Sequence, residues 1–135
     1  MPKILLKSGM MSLRFNLYTK IAPATCRVFT SALPLSVKIV HARFAGEEIW
    51  GKGPKFDIPQ ENATIHLKPG ELGYAVPRAG SGINQAISLV YGEAKLHDCV
   101  NVFAKVYPRD LLKLKSLGET VWLKGKRTIK FVKSS

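Results

Sequence analysis

Acid is scarce in this 135-residue chain. Nine Asp and Glu stand against 21 Lys and Arg, a formal net charge of +12. Glu47-Glu48 is the one adjacent acidic pair. Neighbours on an extended strand point to opposite faces, so the two do not form a glycosidase-like carboxylate pair. Cysteine is scarcer still. Cys26 and Cys99 lie 73 positions apart and make no C-x-x-C unit, which excludes a disulfide scaffold and a thiolate zinc cluster. His41, His66 and His97 show no H-x-H or H-x-x-H spacing, so no metal and no cofactor is expected. The uncharged run from Val28 to Val37 is broken by Thr30, Ser31, Pro34 and Ser36, and no stretch reaches the roughly 18 apolar residues of a bilayer span. The opening MPKILLKSGMMSLRF has no long apolar region followed by a small-residue cleavage site. A cytoplasmic protein with no membrane partner is the expectation. Gly80-Ser81-Gly82 matches neither a P-loop nor a dinucleotide fingerprint, and no G-x-S-x-G is present.

What is present suits a single domain. Hydrophobic residues make up 46% of the chain and charged residues 22%, enough apolar material for a core. Lys3 to Lys7, a Ser8-Gly9 turn, and Leu13, Phe15 and Leu17 alternating with Arg14 and Asn16 predict a hairpin. Ala22, Cys26, Phe29 and Leu33 then recur at spacings of four, three and four. That is one face of a helix running from about Pro23 to Ala32, opened by Pro23 and stopped by Pro34. Short strands follow. They are expected at Val37–Phe44, Ile49-Trp50, Ala63–Leu67, Leu72–Val76, Ile87–Tyr91 and Val100–Val106, with a loop at Gly51-Lys52-Gly53-Pro54 and a flexible one at Gly80-Ser81-Gly82. Pro108–Leu117 reads as a short helix capped by Gly118. Thr120–Leu123 and Thr128–Val132 read as a last hairpin. Many short strands, one clear helix and repeated Gly/Pro turns predict a closed, mainly β barrel.

These residues carry a resemblance. Leu13-Arg14-Phe15-Asn16-Leu17 followed by Ala22-Pro23-Ala24-Thr25-Cys26-Arg27-Val28-Phe29 resembles the opening of cyclophilins, where a strand leads into an A-P-x-T-x-x-x-F helix. Leu33-Pro34-Leu35, His41-Ala42-Arg43-Phe44-Ala45-Gly46-Glu47, Glu61-Asn62-Ala63, Pro69-Gly70-Glu71, Tyr91-Gly92 and Asn101-Val102-Phe103-Ala104 are similar to landmarks of an uncharacterised bacterial and archaeal cyclophilin-like family. The resemblance covers residues 4 to 107 and leaves a basic C-terminal extension from about residue 108. It implies a closed barrel of about eight strands with one or two capping helices. It names no reaction. True cyclophilins are peptidyl-prolyl isomerases whose F-H-R arginine hydrogen-bonds to the twisting prolyl amide. Arg43 is the carry-over, one residue out of register. Their G-F-x-x-Q segment is replaced here by Ala45-Gly46-Glu47-Glu48-Ile49-Trp50.

Arg43 is therefore the first site candidate. A charge amid Ile39, Val40, Ala42 and Phe44 is costly to bury alone. It either pairs with an acid such as Glu47 or faces a pocket and binds an anion or carbonyl. His41 sits two positions away on the same face, either as an acid–base group or as a structural histidine. Trp50 either floors the pocket or packs in the core. Arg78 stands ready to close over an anion. Glu61-Asn62 reads as a functional pair or a side-chain-capped turn. Residues 105–135 hold nine bases and two acids. There Lys113, Lys115, Lys124, Lys126, Arg127, Lys130 and Lys133, with Trp122 and Phe131 interleaved, fit either a stacking surface for single-stranded nucleic acid or a plain amphipathic hairpin. The lysine-heavy balance, 15 Lys to six Arg, argues against base-edge recognition. The leading expectation is a domain that binds a small polar molecule or a peptide in a groove near Arg43, as monomer or homodimer. Prolyl isomerisation and nucleic-acid binding are the alternatives.

Overall fold

A computed structural model of the chain describes residues 3–78 and 84–134. The Gly80-Ser81-Gly82 loop lies outside the described residues. Strands β1 (Lys3–Ser8) and β2 (Met11–Leu17) form the expected hairpin, pairing Leu6 with Leu13 and Ile4 with Phe15. Their alternate residues, Ile4, Leu6, Leu13 and Phe15, are completely buried. Helix α1 (Pro23–Ser31) follows. The predicted stripe of Ala22, Cys26, Phe29 and Leu33 faces the interior, while Arg27 and Ser31 face water.

Strands β3 (Leu35–His41), β4 (Gly46–Lys52), β5 (Ala63–Thr64), β6 (Glu71–Tyr74), β7 (Ala86–Ala94) and β8 (Val100–Val106) come next, then a 3-10 turn at Pro108–Asp110, helix α2 (Leu111–Lys124) and strand β9 (Arg127–Lys133). The sheet order is β2-β1-β9-β3-β4-β7-β6-β8, and β2 pairs back to β8. Every pairing is antiparallel. Eight strands thus close a barrel, which removes exposed sheet edges. The ninth, β5, lies outside it against β8. Inside, the Phe29 ring meets Phe103 at 4.8 Å and Phe131 at 5.2 Å. A second, smaller cluster on the outer face includes Leu67, Ala86, Val90, Leu96, Val100 and Val102. It covers β7 and β8, so β8 is not half-wet: Asn101 and Phe103 are as buried as Val100 and Val102.

The C-terminal region departs most from the sequence expectation. Helix α2 does not stop at Gly118; it runs on to Lys124 and ends at Gly125. Leu114, Leu117, Gly118 and Val121 form its buried stripe, the i, i+3, i+4, i+7 pattern of an amphipathic helix. Residues 120–123, expected as the first strand of a hairpin, are therefore helical. Only the second strand forms, and it pairs on both sides, with β1 and β3. Gly118 is not a cap. A Cβ there would lie 2.3 Å from the Tyr91 ring, so glycine lets α2 seat against β7. Two smaller differences have local causes. Gly51 and Lys52 belong to β4, because a Cβ on Gly51 would meet the Lys38 carbonyl at 2.2 Å and only glycine permits that strand approach. Strand β5 stops at Thr64, whose hydroxyl accepts the His66 N–H at 3.0 Å in a local turn.

Candidate functional site

β3 ends at His41, and a tight turn carries Arg43 into β4. α2 crosses this end of the barrel, packed on β3, β4 and β7. The space between them is an open groove of about 360 Å³ lined by His41, Arg43, Gly46, Glu47, Tyr91, Glu119 and Trp122. Arg43 lies over the Trp122 ring, its guanidinium carbon 4.3 Å from the ring centroid. One Nη2–H donates to the Trp122 carbonyl at 3.0 Å. Two contacts fix the planar fork and leave its other N–H groups free for a ligand. His41 Nε2 lies 2.6 Å from the Tyr91 hydroxyl, and its ring stands edge-on to Trp122 at 4.7 Å. Burial, then the Arg43 charge, lowers the His41 pKa against a smaller opposing effect of Glu47. Burial, then the Glu47 and Glu119 carboxylates, raises the Tyr91 pKa. Of the two alternatives for Arg43, the ion pair with Glu47 does not form among the described residues. Glu47 Oε1 instead accepts the Glu93 N–H at 3.0 Å.

Arg43, His41 and Glu47 thus meet, as the sequence suggested. Trp50 does not join them. A register shift separates Gly46 from Glu48 in β4. Glu47 turns to the α2 groove, whereas Glu48 and Trp50 line a separate pocket on the outer face. Arg78 lines neither pocket; it is exposed, and its backbone N–H donates to Asn84 Oδ1 at 3.2 Å. Glu61 supports the fold: it accepts from the Thr25 N–H and hydroxyl at 2.7 and 2.8 Å. Lys124, Lys126, Arg127 and Lys130 are exposed, but Phe131 is fully buried and cannot stack on a base. The sequence did not place Tyr91, Glu119 and Trp122 in this groove. Tyr91 read as a strand residue and a family landmark, and reading 120–123 as a strand hid the helical face that carries Glu119 and Trp122.

Burial pushes the Cys26 thiol up to about 11, with a further rise from Glu61. Cys26 is therefore not a nucleophile near neutral pH. Among the described residues no group of three or more His, Cys, Asp or Glu is placed to hold a metal ion. No helix among them is long and apolar enough to cross a membrane.

Residues 4–133 match the family described as "Protein of unknown function (DUF3830)". The chain belongs to this family. The match runs through α2 and β9, beyond the resemblance visible up to residue 107. No curated protein matches the chain. The architecture recurs in solved structures, three of which are compared below. McbB in complex with tryptophan superposes with a TM-score of 0.78 at 13% identity over 98% of this chain. The chain spans about half of McbB, 45% of its length. A hypothetical protein from Archaeoglobus fulgidus gives 0.67 at 20% identity, covering 98% of this chain and 95% of that one. A cyclophilin-type peptidyl-prolyl cis-trans isomerase from Cryptosporidium parvum, solved in the presence of the dipeptide Ala-Pro, gives 0.61 at 17% identity, covering 98% and 99%. The fold is the cyclophilin-like barrel.

Proposed function

We propose that this domain binds a small zwitterion, an amino acid or a short peptide, in the α2 groove. The observation that carries the reading is Arg43, held over Trp122 with donors to spare. Such a fork suits a ligand carboxylate, which it takes by two parallel hydrogen bonds. Glu47 and Glu119 line the same groove and suit a ligand ammonium. Trp122 and Tyr91 supply apolar walls. Two structural neighbours were solved with ligands of this class, tryptophan for McbB and Ala-Pro for the Cryptosporidium protein. In this reading the groove binds, and no covalent step is assigned to it.

The test is a fluorescence titration with Ala-Pro and with free tryptophan's non-fluorescent analogue, cyclohexylalanine. The protein carries Trp50→Phe, so that Trp122 is the only reporter. Saturable quenching that is lost in Arg43→Ala is the expected outcome. A flat response to both probes, or one that persists in Arg43→Ala, overturns the reading.

A further inference from the structure

One half of the barrel wall carries charge of a single sign. Strands β2, β1, β9 and β3 lie side by side and contain no Asp or Glu. Lys3 and Lys7 on β1, Arg14 on β2, Lys130 on β9 and Lys38 on β3 are exposed. The register sets them on one outward face: Lys7 stands directly opposite Lys130, Arg14 opposite Leu5, and Lys38 opposite Thr128, and residues two apart on a strand share a face. Like charges directly opposed across strands destabilise a sheet, so the fold gains nothing from the Lys7–Lys130 pair. No carboxylate offsets it. The ion pairs among the described residues are His97–Asp98 and Lys113–Asp110. Asp110 is buried, and its carboxylate also accepts the Arg14 backbone N–H at 2.9 Å. At the β2 edge of this face three cations surround the partly exposed Tyr107 ring. Lys3 Nζ lies 5.7 Å from its centroid, and the guanidinium carbons of Arg14 and Arg109 lie at 5.8 and 5.9 Å. The Tyr107 N–H donates to the Arg14 carbonyl at 2.8 Å, which ties the ring to the sheet.

We propose that this face binds single-stranded nucleic acid, by its phosphates and without choice of base. The lysines take backbone phosphates as point charges, and each contact releases a counterion. Tyr107 offers a base a ring to stack on, with cations at its margin for the flanking phosphates. It supplies the stacking surface that the buried Phe131 does not. A duplex suits the face less well. Its major groove admits a helix or a two-stranded ribbon, and this face is the wall of a closed barrel. An anionic membrane also suits it less well, because stable anchoring adds an inserted apolar group to a basic patch. Of the exposed large hydrophobic residues, Val40 alone lies on these four strands.

The test is the fluorescence anisotropy of a fluorescein-labelled oligothymidylate, titrated with the protein at about 50 mM salt. Saturable binding is expected. Its log affinity falls against log salt with a slope of about −3.5, as five contacted phosphates at roughly −0.7 each imply. Lys7→Glu/Lys130→Glu is expected to weaken binding about thirtyfold or more, by removing two contacts and adding repulsion. Lys55→Glu/Lys95→Glu changes the net charge equally, from exposed loop positions outside the four strands. It is expected to cost about threefold at most, because charges off the contact surface are screened. Tyr107→Leu weakens binding about tenfold, within the range for one stacked base, and Tyr107→Phe retains it. Circular dichroism shows each variant folded. Equal losses in the two double variants overturn the proposal, because net charge alone then explains the binding. A titration that never saturates overturns it, as does a Tyr107→Leu protein that binds like the parent. Vesicles of phosphatidylserine in phosphatidylcholine that bind the parent and displace the oligonucleotide assign the face to a membrane surface and also overturn it.

Discussion

The Glu61 carboxylate accepts both the backbone N–H and the hydroxyl of Thr25, at 2.7 and 2.8 Å. A weaker contact from the Ala24 N–H, at 3.4 Å, completes the set. Helix α1 begins after Ala22, which has no side-chain acceptor. The first turn of a helix leaves backbone N–H groups unpaired and favours negative charge. Glu61 meets both needs from a loop distant in sequence. Buried Asn101 holds that loop, accepting the Glu61 N–H at 3.1 Å and donating to the Thr25 hydroxyl and the Pro59 carbonyl, each at 3.0 Å. Glu61→Ala is expected to destabilise the protein by about 1.5–3 kcal/mol, the range for hydrogen bonds to a charged group. Denaturant unfolding measures this. A loss indistinguishable from an ordinary surface substitution would show that the cap contributes nothing.

This relationship marks where the sequence was legible and where it was not. The helix itself was readable from Ala22, Cys26, Phe29 and Leu33, because periodicity is local. The first hairpin was readable for the same reason. The cap was not, because Glu61 and Thr25 meet only through the closed barrel. Glu61-Asn62 showed only as a polar pair ahead of a strand. The region after Val106 failed for another reason. Gly118 resembles a helix end, and only the approach of Tyr91 shows why glycine sits inside α2. With that helix cut short, Trp122 and Glu119 could not be placed beside Arg43. Arg43, His41 and Glu47 could be grouped from the sequence because a single strand–turn–strand connection of seven residues carries all three.

Glu48 makes stability depend on pH. Its folded value, about 7, lies above the 4.5 of an unburied glutamate. Between the two the unfolded chain releases the proton and the folded chain keeps it, so stability falls as pH rises through this window. The full loss, reached above about pH 7, is roughly 3 kcal/mol. Glu48→Gln is expected to remove this slope and to be more stable than the parent at pH 8, with little difference at pH 4. Thermal unfolding across pH decides the matter. Parallel curves for the two proteins would mean that Glu48 titrates as an exposed acid.

His41 works in the opposite sense. Burial and Arg43 hold its pKa below the ordinary 6.5, so protonation favours the unfolded chain. The stability linked to neutral His41 is present above 6.5 and declines as pH falls through the folded value. An NMR titration of the native protein is expected to give His41 a midpoint below 6.5. Removing the Arg43 charge in Arg43→Ala moves that midpoint upward. A native midpoint at or above 6.5 would contradict the described packing of His41 against Trp122 and Tyr91.

Gly118→Ala sets two effects against each other. Alanine in the middle of a helix is favoured over glycine by about 1 kcal/mol, so an isolated α2 would gain. In the folded protein the new methyl carbon would lie 2.3 to 2.6 Å from three atoms of the Tyr91 ring, well inside contact distance. Tyr91 is 4% exposed and sits in a closed core, so its ring has little room to retreat. Overpacking of this kind costs about 1–3 kcal/mol, and that outweighs the helix gain. The variant is expected to be less stable and to shift α2 outward. Because His41 Nε2 meets the Tyr91 hydroxyl at 2.6 Å, the displacement also reaches the groove. The His41 imidazole resonances and Trp122 fluorescence are expected to change together. A stabilised Gly118→Ala protein with unchanged Trp122 emission would show that α2 does not press on Tyr91 in solution.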